Sequence, residues 1–367
     1  MNKANGLPLL YRMLRGEVFV SGVIFRPVWF DSMGAKSSCT IVETPEVKVL
    51  IDPGAAIMQP GFPASWAKKI YWLAKAELAV KRAAKGADVV VISHYHYDHF
   101  TDFDGSIYKN KLVLTKNPNE YINDSQRKRA ESFFTTFAKE LGRMELKMEE
   151  REAKEFPDPL EEIPVAARKS FGDYMKRRRE LFRKGSRWFE GRVRRWNSSG
   201  WIPEMRFGKT RVEFPEGKTY RFGRTKISFS KPFFHGVEYK RVGWVFSTIV
   251  ERGDEKIIHS SDLNGPVIED YAEWIIEQAP TVLILDGPMT YMMGYLVTRT
   301  TLGRAIENAV RILRETQLEL LVYDHHLPRE PNFRKHAQKV WEEGKKLHKK
   351  VVTAAEVLGK KPVVEIS

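Results

Sequence analysis

Three of the nine histidines of the chain lie within the six residues from His94 to His99. Asp98 completes the pattern His-x-His-x-Asp-His, directly after an apolar, β-branched stretch at residues 89–92 that predicts a strand. Side chains alternate along an extended segment, so His94, His96 and Asp98 would point to one side, and a turn would bring His99 beside them. Imidazole nitrogens and carboxylate oxygens suit zinc, with manganese or iron as alternatives. The run predicts a metal site rather than a solvated histidine-rich loop.

This run resembles the histidine motif of the metallo-β-lactamase fold superfamily, and segments similar to the other motifs of that superfamily occur in the expected order. Before the run, an apolar strand ends in Asp52. After it, three further apolar segments end at His235, at Asp262 and at the pair His325 and His326. The resemblance extends from Asp52 to His326. It implies an α/β fold, the αββα four-layer sandwich in which two sheets lie between layers of helices.

The resemblance also implies two divalent metal ions, with zinc as the first choice and manganese or iron as alternatives. The implied ligands are His94, His96 and His235 for one ion, Asp98, His99 and His325 for the other, and Asp262 as the bridge. Because adjacent side chains of a strand point to opposite faces, His326 is the alternative to His325. Asp52 and Asp286, which each end an apolar strand, are expected to orient ligand histidines by accepting their free N–H groups.

The ligand set predicts a hydrolytic reaction. Two cations that share a water lower its pKa toward neutrality, so a metal-bridging hydroxide would be the nucleophile. Asp98 and Asp262 would orient it, and the metals would stabilise charge that grows on a phosphoryl or carbonyl oxygen. The leaving group needs a proton donor, for which His259 and His326 are the candidates. For His259, a buried structural role is an equal alternative.

Two departures from the superfamily pattern narrow the predicted activity. Asp262 stands where the zinc β-lactamases with a cysteine ligand carry that cysteine, and the single cysteine of the chain is Cys39. His96 stands where the flavodiiron oxygen reductases carry a glutamate. Antibiotic hydrolysis and redox iron chemistry are therefore disfavoured. As a whole, the chain most resembles an archaeal group of metallo-β-lactamase fold proteins without an established substrate.

The length, charge and cysteine content of the chain indicate its domain organisation, its partners and its location. At 367 residues, the chain exceeds a minimal metallo-β-lactamase domain, which predicts an insertion. The net charge of +14 favours an anionic partner, with RNA or DNA as candidates and a second copy of the chain as a further one. No apolar run approaches the roughly 20 residues of a membrane span, and a signal-peptide pattern is missing. With one cysteine, a cytoplasmic protein without a membrane partner is expected.

The insertion is expected between His99 and His235, which are separated by 135 residues. This spacing predicts a catalytic domain of residues 1–110 and 220–367, interrupted by a basic helical insertion of residues 111–219. Within the insertion, residues 121–155 and 165–196 are predicted to be helical, with a break between the prolines at 157 and 164.

The second predicted helix is strongly basic. Residues 168–195 contain twelve Lys and Arg against three acidic residues, with aromatic residues interleaved. Such a segment could follow a phosphate backbone and stack bases. The candidate nucleic-acid-binding residues are Arg177, Arg178, Arg179, Arg183, Lys184, Arg194 and Arg195. An equal alternative is a solvated helix whose aromatic side chains pack inward, with Arg178 interrupting the aromatic spacing.

The leading functional prediction is a binuclear metal-dependent hydrolase that acts on a phosphodiester, with nucleic acid as a candidate substrate. One alternative is a hydrolase of a small lactone, thioester or sugar phosphate. Another is a nucleic-acid-binding protein whose metal site is structural. The cleft over the metals separates the substrate classes, because a closed pocket favours a small molecule and an open basic groove favours a polymer.

Overall fold

The computed structural model describes residues 12–14, 17–20 and 22–366. The first part of the chain builds one large sheet from strands β1 (Arg12–Leu14), β2 (Glu17–Val20), β3 (Val23–Phe30), β4 (Ser38–Glu43), β5 (Lys48–Ile51), β6 (Val89–Ile92), β7 (Leu112–Thr115), β8 (Met205–Phe207) and β9 (Thr210–Glu213). Their spatial order is β1-β2-β3-β4-β5-β6-β7-β9-β8. Strands β5, β6, β7 and β9 run parallel to one another, so their carboxyl ends share one edge.

The later part of the chain contributes the remaining described strands. These are β10 (Thr219–Phe222), β11 (Thr225–Phe229), β12 (Phe233–Phe234), β13 (Trp244–Val245), β14 (Thr248–Arg252), β15 (Glu255–His259), β16 (Val282–Asp286), β17 (Leu320–Asp324) and β18 (Lys350–Val352). The second large sheet has the order β10-β11-β14-β15-β16-β17-β18, while β12 pairs with β13. Strands β15 to β18 are parallel, which again places their carboxyl ends together.

The described helices connect and cover the sheets. The α-helices are α1 (Trp66–Ala84), α2 (Gly105–Tyr108), α3 (Asp124–Phe137), α4 (Pro164–Arg168), α5 (Met175–Ser198), α6 (Glu269–Gln278), α7 (Arg299–Glu315), α8 (Phe333–His336), α9 (Gln338–Lys346) and α10 (Ala354–Val357). Short 3₁₀ segments occupy Asp31–Met33, Pro159–Glu162, Gly172–Tyr174, Thr290–Met292, Leu327–Arg329 and Val363–Glu365, and a π-helical turn follows α3 at Ala138–Gly142. Among the helices described, none is long and apolar enough to cross a membrane.

Strand β6 shows how the layers arise. All four of its residues are buried, because successive side chains point to opposite faces of the sheet and both faces are covered. Val89 and Val91 belong to an apolar cluster that also contains Ile284 of the second sheet. Val90 and Ile92 belong to the cluster that includes side chains of the helices. Two sheets therefore pack face to face with helices outside them, which confirms the predicted αββα sandwich.

The prediction of one helix over residues 121–155 is wrong in its second half. Helix α3 and the π turn end at Gly142, after which Arg143 adopts a left-handed conformation with φ of 52°. Beyond it, Glu149 exchanges two backbone hydrogen bonds with Trp201 instead of continuing the helix. Mixed charge without a regular apolar stripe gave this segment no face to bury against the core, so it packs as extended chain.

Residues 111–219, expected as a helical insertion, contain strands as well as helices. Strand β7 pairs with β6 and with β9, and β8 pairs with β9, so all three extend the first sheet. The helices α3, α4 and α5 lie between β7 and β8 in the chain. The division into a catalytic domain of residues 1–110 and 220–367 and a separate insertion stays a prediction.

Candidate metal centre

The predicted site residues come together where the parallel strands of the two sheets end. Asp52 follows β5, and the histidine run follows β6. In the second sheet, Asp262 lies three residues after β15, Asp286 ends β16 and His325 follows β17. Because the carboxyl ends of parallel strands meet at one edge, and the two sheets pack face to face, the chain delivers these side chains to one place.

The backbone at this edge is held in unusual conformations. Asp52, Ser261, His325 and His326 all have positive φ values, between 37° and 55°. Non-glycine residues rarely adopt this region, and such residues concentrate at functional sites. Gly54 allows the segment after β5 to pack closely against the backbone of the histidine run, since a Cβ there would lie 2.5 Å from the backbone nitrogen of His99. The strand ends thus bend sharply to aim neighbouring side chains at a common point.

One group of donor atoms consists of three histidines and an aspartate. His94 Nε2 and His96 Nδ1 are 2.9 Å apart. His235 Nε2 lies 3.0 Å from Asp262 Oδ2, which is 3.6 Å from His94 Nε2. The four residues offer ligand atoms that all lie within 4.8 Å of one another. Their spacing and chemistry suit a metal ion with nitrogen and oxygen ligands.

A second group lies directly beside the first. It contains Asp98, His99 and His325, whose ligand atoms also lie within 4.8 Å of one another. His99 Nε2 is 3.2 Å from His325 Nε2, and Asp98 Oδ2 is 3.8 Å from the same atom of His325. The other carboxylate oxygen of Asp262, Oδ1, is 3.0 Å from His99 Nε2. Asp262 therefore turns one oxygen toward each group, the position expected of a bridge.

Partners behind the histidines fix which nitrogen faces the centre. His99 Nδ1 donates to Asp52 Oδ2 at 2.8 Å. Asp52 also accepts a hydrogen bond from the hydroxyl of Ser93, which lies 3.1 Å from His94 Nδ1. A carboxylate can only accept, so Asp52 holds a proton on Nδ1 of His99 and turns Nε2 toward the centre.

Asp286 supports the bridge rather than a ligand histidine. It accepts hydrogen bonds from the backbone nitrogens of Leu263 and Asn264, the two residues after Asp262. Burial, together with the negative charge of Asp262, raises the pKa of Asp286 to about 8. Its Oδ2 lies 3.4 Å from His326 Nδ1.

Unsatisfied polar atoms point into this centre. His235 Nε2 and Asp262 Oδ1 are buried and have no hydrogen-bond partner among the described residues. A buried polar atom without a partner is costly, and a cation coordinated by both groups would remove that cost. Burial also lowers the pKa of His94 well below its usual value and that of His96 to about 3, so both rings are neutral and able to ligate. The residues therefore fit a metal centre.

The adjacent histidines at the end of β17 take different positions. His325 Nδ1 donates to Asp31 Oδ1 at 3.1 Å and to the carbonyl of Ser37 at 3.0 Å, which leaves Nε2 directed at the second group. His326 Nε2 lies 3.7 Å from Asp262 Oδ2, and His326 lines the cavity beside the centre. A third set of convergent donors, Asp262, His325 and His326, is also close enough for an ion. The geometry favours His325 as the ligand and His326 as a cavity residue.

Two charged residues at the centre carried no recognisable motif in the sequence. Arg329 is buried, is paired with Asp31, and places Nη2 3.4 Å from Asp98 Oδ2 and 3.5 Å from His325 Nε2. Asp31 also accepts from the backbone nitrogen of His326. The only sequence signals are an Asp directly after strand β3 and an Arg three residues after the histidine pair. Asp31 and Arg329 together lock the β17 loop against the first sheet.

A cavity of about 180 Å³ opens beside the centre. His96, Asp98, His235 and Asp262 form its metal side. The remaining walls are mostly apolar and include valines, leucine, methionine and proline. Drug-sized ligand pockets occupy roughly 300–1,000 Å³, so this space suits a smaller group. By the criterion of cleft shape, it resembles a pocket for a small molecule more than a groove for a polymer.

Comparisons with known proteins identify the family of this chain. The profile of the metallo-β-lactamase superfamily matches residues 34–170. A UPF0282 protein of Korarchaeum cryptofilum is 32% identical over 341 residues, which cover 91% of this chain and 89% of that protein. The chain belongs to the UPF0282 family. A UPF0282 protein of Methanopyrus kandleri is 31% identical over 348 residues, covering 91% of this chain and 93% of that protein. A crystal structure of the metallo-beta-lactamase fold protein YhfI from Bacillus subtilis shares 14% identity over 83% of this chain and 85% of that chain, with a TM-score of 0.37.

In this UPF0282 protein, His259 lies away from the cavity. Its Nε2 is 2.8 Å from the carbonyl of Ser38, and its Nδ1 accepts from the backbone nitrogen of Ser261. Burial lowers its pKa. With both ring nitrogens occupied inside the sandwich, His259 is placed as a structural histidine, and its proposed role as proton donor has no geometric support.

Helix α5 carries the predicted nucleic-acid-binding residues, but they do not share one environment. The exposed members are Arg177, Arg179, Arg183, Lys184, Arg194 and Arg195. Arg178 is a correction, because its side chain is 5% exposed and donates to Glu238 and to three backbone carbonyls. The aromatic residues also face inward, where Trp188 stacks on Trp244 and Phe189 and Trp196 join the core. The inward-packing alternative therefore describes the aromatic face.

Proposed function

We propose that this UPF0282 protein is a binuclear metal-dependent hydrolase. The supporting observation is the pair of adjacent donor groups that share Asp262, because a single structural ion would need only one of them. We assign His94, His96 and His235 to one ion, with Asp98, His99 and His325 for the other. Two divalent ions bound there would supply an activated water and a Lewis acid for hydrolysis.

The chain itself contributes orientation, charge and a proton. Asp98 and Asp262 would hold the attacking water in line with the scissile bond. His326 lines the cavity and would donate the proton at its Nε2 to the leaving group. Its Nδ1 faces Asp286, whose raised pKa of about 8 would let it hold a proton directed at that nitrogen, so that the ring proton stays on Nε2. Asp52 and Asp31 would keep the ligand histidines in place through the hydrogen bonds to His99 and His325.

A phosphodiester is the substrate class that we favour. Arg329 adds a buried guanidinium next to Asp98. Lys36 is partly buried at the same edge and forms no ion pair with any carboxylate in residues 22–366. Added to two divalent ions, these cations create a positive field that suits an anionic reacting group more than a neutral ester. The small cavity supports a diester with a compact apolar substituent.

A neutral small ester, lactone or thioester is the second candidate, and the apolar cavity walls are the observation that favours it. We keep RNA or DNA as a further proposed substrate because of the exposed basic residues of α5. That proposal predicts nucleic-acid affinity with a strong salt dependence. Replacing Arg179, Arg183 and Lys184 with Gln should reduce the salt slope, and an unchanged slope would argue against it.

The decisive experiment is a turnover assay of the purified protein loaded in turn with zinc, manganese and iron(II). Bis-p-nitrophenyl phosphate tests the phosphodiester, and p-nitrophenyl acetate and a γ-lactone test the neutral esters. His94→Ala should remove turnover and lower the bound metal per chain. The matched control is His348→Ala, an exposed histidine outside both donor groups. Equal turnover by wild type and His94→Ala would refute the hydrolase proposal.

A further inference from the structure

The cavity beside the metal centre contains an unpaired cation. Lys240 is the only lysine or arginine among its described lining residues. It forms no salt bridge with any carboxylate in the part of the chain whose side chains are described, and its backbone makes hydrogen bonds with Val237 and Gly243. Burial lowers its pKa with no compensating acidic neighbour. A half-buried ammonium without a counter-ion is costly, which makes it a receptor for an anion.

The loop that carries Lys240 is firmly held. Glu238, two residues earlier, forms buried ion pairs with Arg178 of α5 and Arg304 of α7. Tyr239 packs against Gly185 of α5, where an added Cβ would lie 2.3 Å from the Tyr239 ring. At the far end of the loop, Asn123, which caps the start of α3, and Gln126 of α3 donate to the carbonyl of Val242. Because the loop is clamped on both sides of Lys240, the ammonium is presented by a preorganised support.

The surroundings of Lys240 define the rest of a ligand. Val237, Val267, Leu296 and Val297 line the same cavity and offer no charge. The metal side, with His235 immediately before this loop, lines the same cavity. A molecule that fills this volume would meet the metal centre, an apolar wall and one ammonium. Such a combination would select ligands by both their charge and their size.

We propose that Lys240 binds a second anionic group of a small amphipathic substrate, such as a carboxylate or phosphate, while the apolar part of that substrate packs against the cavity walls. This inference rests on the proposed hydrolase function and narrows its substrate class to compact molecules with a charged end distant from the scissile bond. Lys240 acts here as a specificity residue, and it takes no part in bond cleavage.

Ligand binding tests the inference without turnover. Hexanoate, hexyl phosphate and the uncharged hexanamide are titrated calorimetrically into the full-length, metal-loaded protein. Wild type should bind the two anions roughly 10- to 100-fold more tightly than the amide, the range expected for a hydrogen bond to a charged group. Lys240→Met should reduce that preference roughly 10-fold or more, and Lys240→Arg should retain most of it. Lys109→Met is the matched control, because Lys109 is exposed and does not line the cavity.

Metal content and the thermal unfolding midpoint are measured for each variant, so that loss of the site is distinguished from loss of the ammonium. Unchanged anion preference in a folded, metal-loaded Lys240→Met protein would overturn the inference, because the metals alone would then hold the anion. The two proposals can fail separately. Equal turnover by His94→Ala and wild type would refute the hydrolase proposal. The dependence of anion binding on Lys240 is measured without turnover, so it can still be tested in that case.

Discussion

Replacing Arg178 should destabilise the protein far more than replacing its neighbour Arg177. The guanidinium of Arg178 is 5% exposed and donates to Glu238 at 2.8 Å. It also donates to the carbonyls of Ala166, Ala167 and Lys169. Arg178→Met would leave these three carbonyls without their donor and Glu238 with Arg304 as its remaining partner, and breaking a buried ion pair typically costs about 3–5 kcal/mol.

Arg177 is the matched control because it differs in environment and not in type. Its side chain is 54% exposed, and it pairs with Glu180 one helical turn away at 3.0 Å. Exposed pairs of this kind contribute about 0.3–0.5 kcal/mol. Arg177→Met and Arg178→Met therefore carry the same chemical change, with an expected difference in unfolding free energy of about 3 kcal/mol or more.

Urea unfolding followed by tryptophan fluorescence measures this difference, since Trp188 and Trp244 stack in the core next to α5. Hydrogen exchange provides the second readout. Amides of residues 236–243 should exchange faster in Arg178→Met, because Glu238 loses one of its two arginine partners, and should be unchanged in Arg177→Met. Two variants within about 1 kcal/mol of each other, with equal exchange in the loop, would refute the assignment of Arg178 as a buried clamp.

Three further predictions concern the ligand supports, the two candidate proton donors and pH. Asp52→Asn should weaken metal binding roughly 10- to 100-fold in a competition titration with a chelating dye, and unchanged affinity would show that the His99 tautomer does not depend on this carboxylate. His326→Gln should lower kcat by about 10²–10⁴ with little change in folding, whereas His259→Gln should lower the unfolding midpoint; the reverse pattern would restore His259 as the donor. Hydrogen bonds from Arg252 lower the pKa of Glu46 from its ordinary 4.5 to about 2. A depressed carboxyl pKa stabilises the folded state above pH 4.5 and loses that effect as the pH falls toward 2. The difference in unfolding free energy between wild type and Glu46→Gln should shrink over this interval, and a constant difference would contradict it.

The donor residues could be found from the sequence because each follows an apolar strand. The resemblance to the metallo-β-lactamase fold superfamily implied that these residues meet, and parallel pairing within each sheet places Asp52 beside His94 and Asp262 near His325 at the carboxyl ends of their strands. The spacing within the histidine run indicated His96, Asp98 and His99, whereas His235 was indicated by the resemblance. The two sheets and their flanking helices follow from the same pattern, since strands such as β6 are apolar on both faces.

Other features depend on contacts that local pattern does not contain. Asp31 and Arg329 are 298 positions apart, and neither belongs to a recognisable motif, so their pairing appears only when the sheets are assembled. His259 illustrates a different limit. Its strand position was evident, but which face its ring occupies depends on the carbonyl of Ser38 in the other sheet. Lys240 lies in an irregular loop whose course is set by distant helices.

Helix α5 contains another residue whose role depends on a distant contact. Arg178 interrupts the spacing of its aromatic residues, and the structure gives the reason. The inward face carries aromatic residues at 182, 189 and 196, and Arg178 falls on that same face. An arginine in an apolar stripe suggested a solvated or nucleic-acid-binding surface, yet this one meets Glu238, three residues after His235. Glu238 also pairs with Arg304, so α5, which precedes His235 in the chain, and α7, which follows Asp262, both hold the same loop. If Arg178→Met loosens that loop while Arg177→Met does not, helix α5 is part of the support of the metal centre.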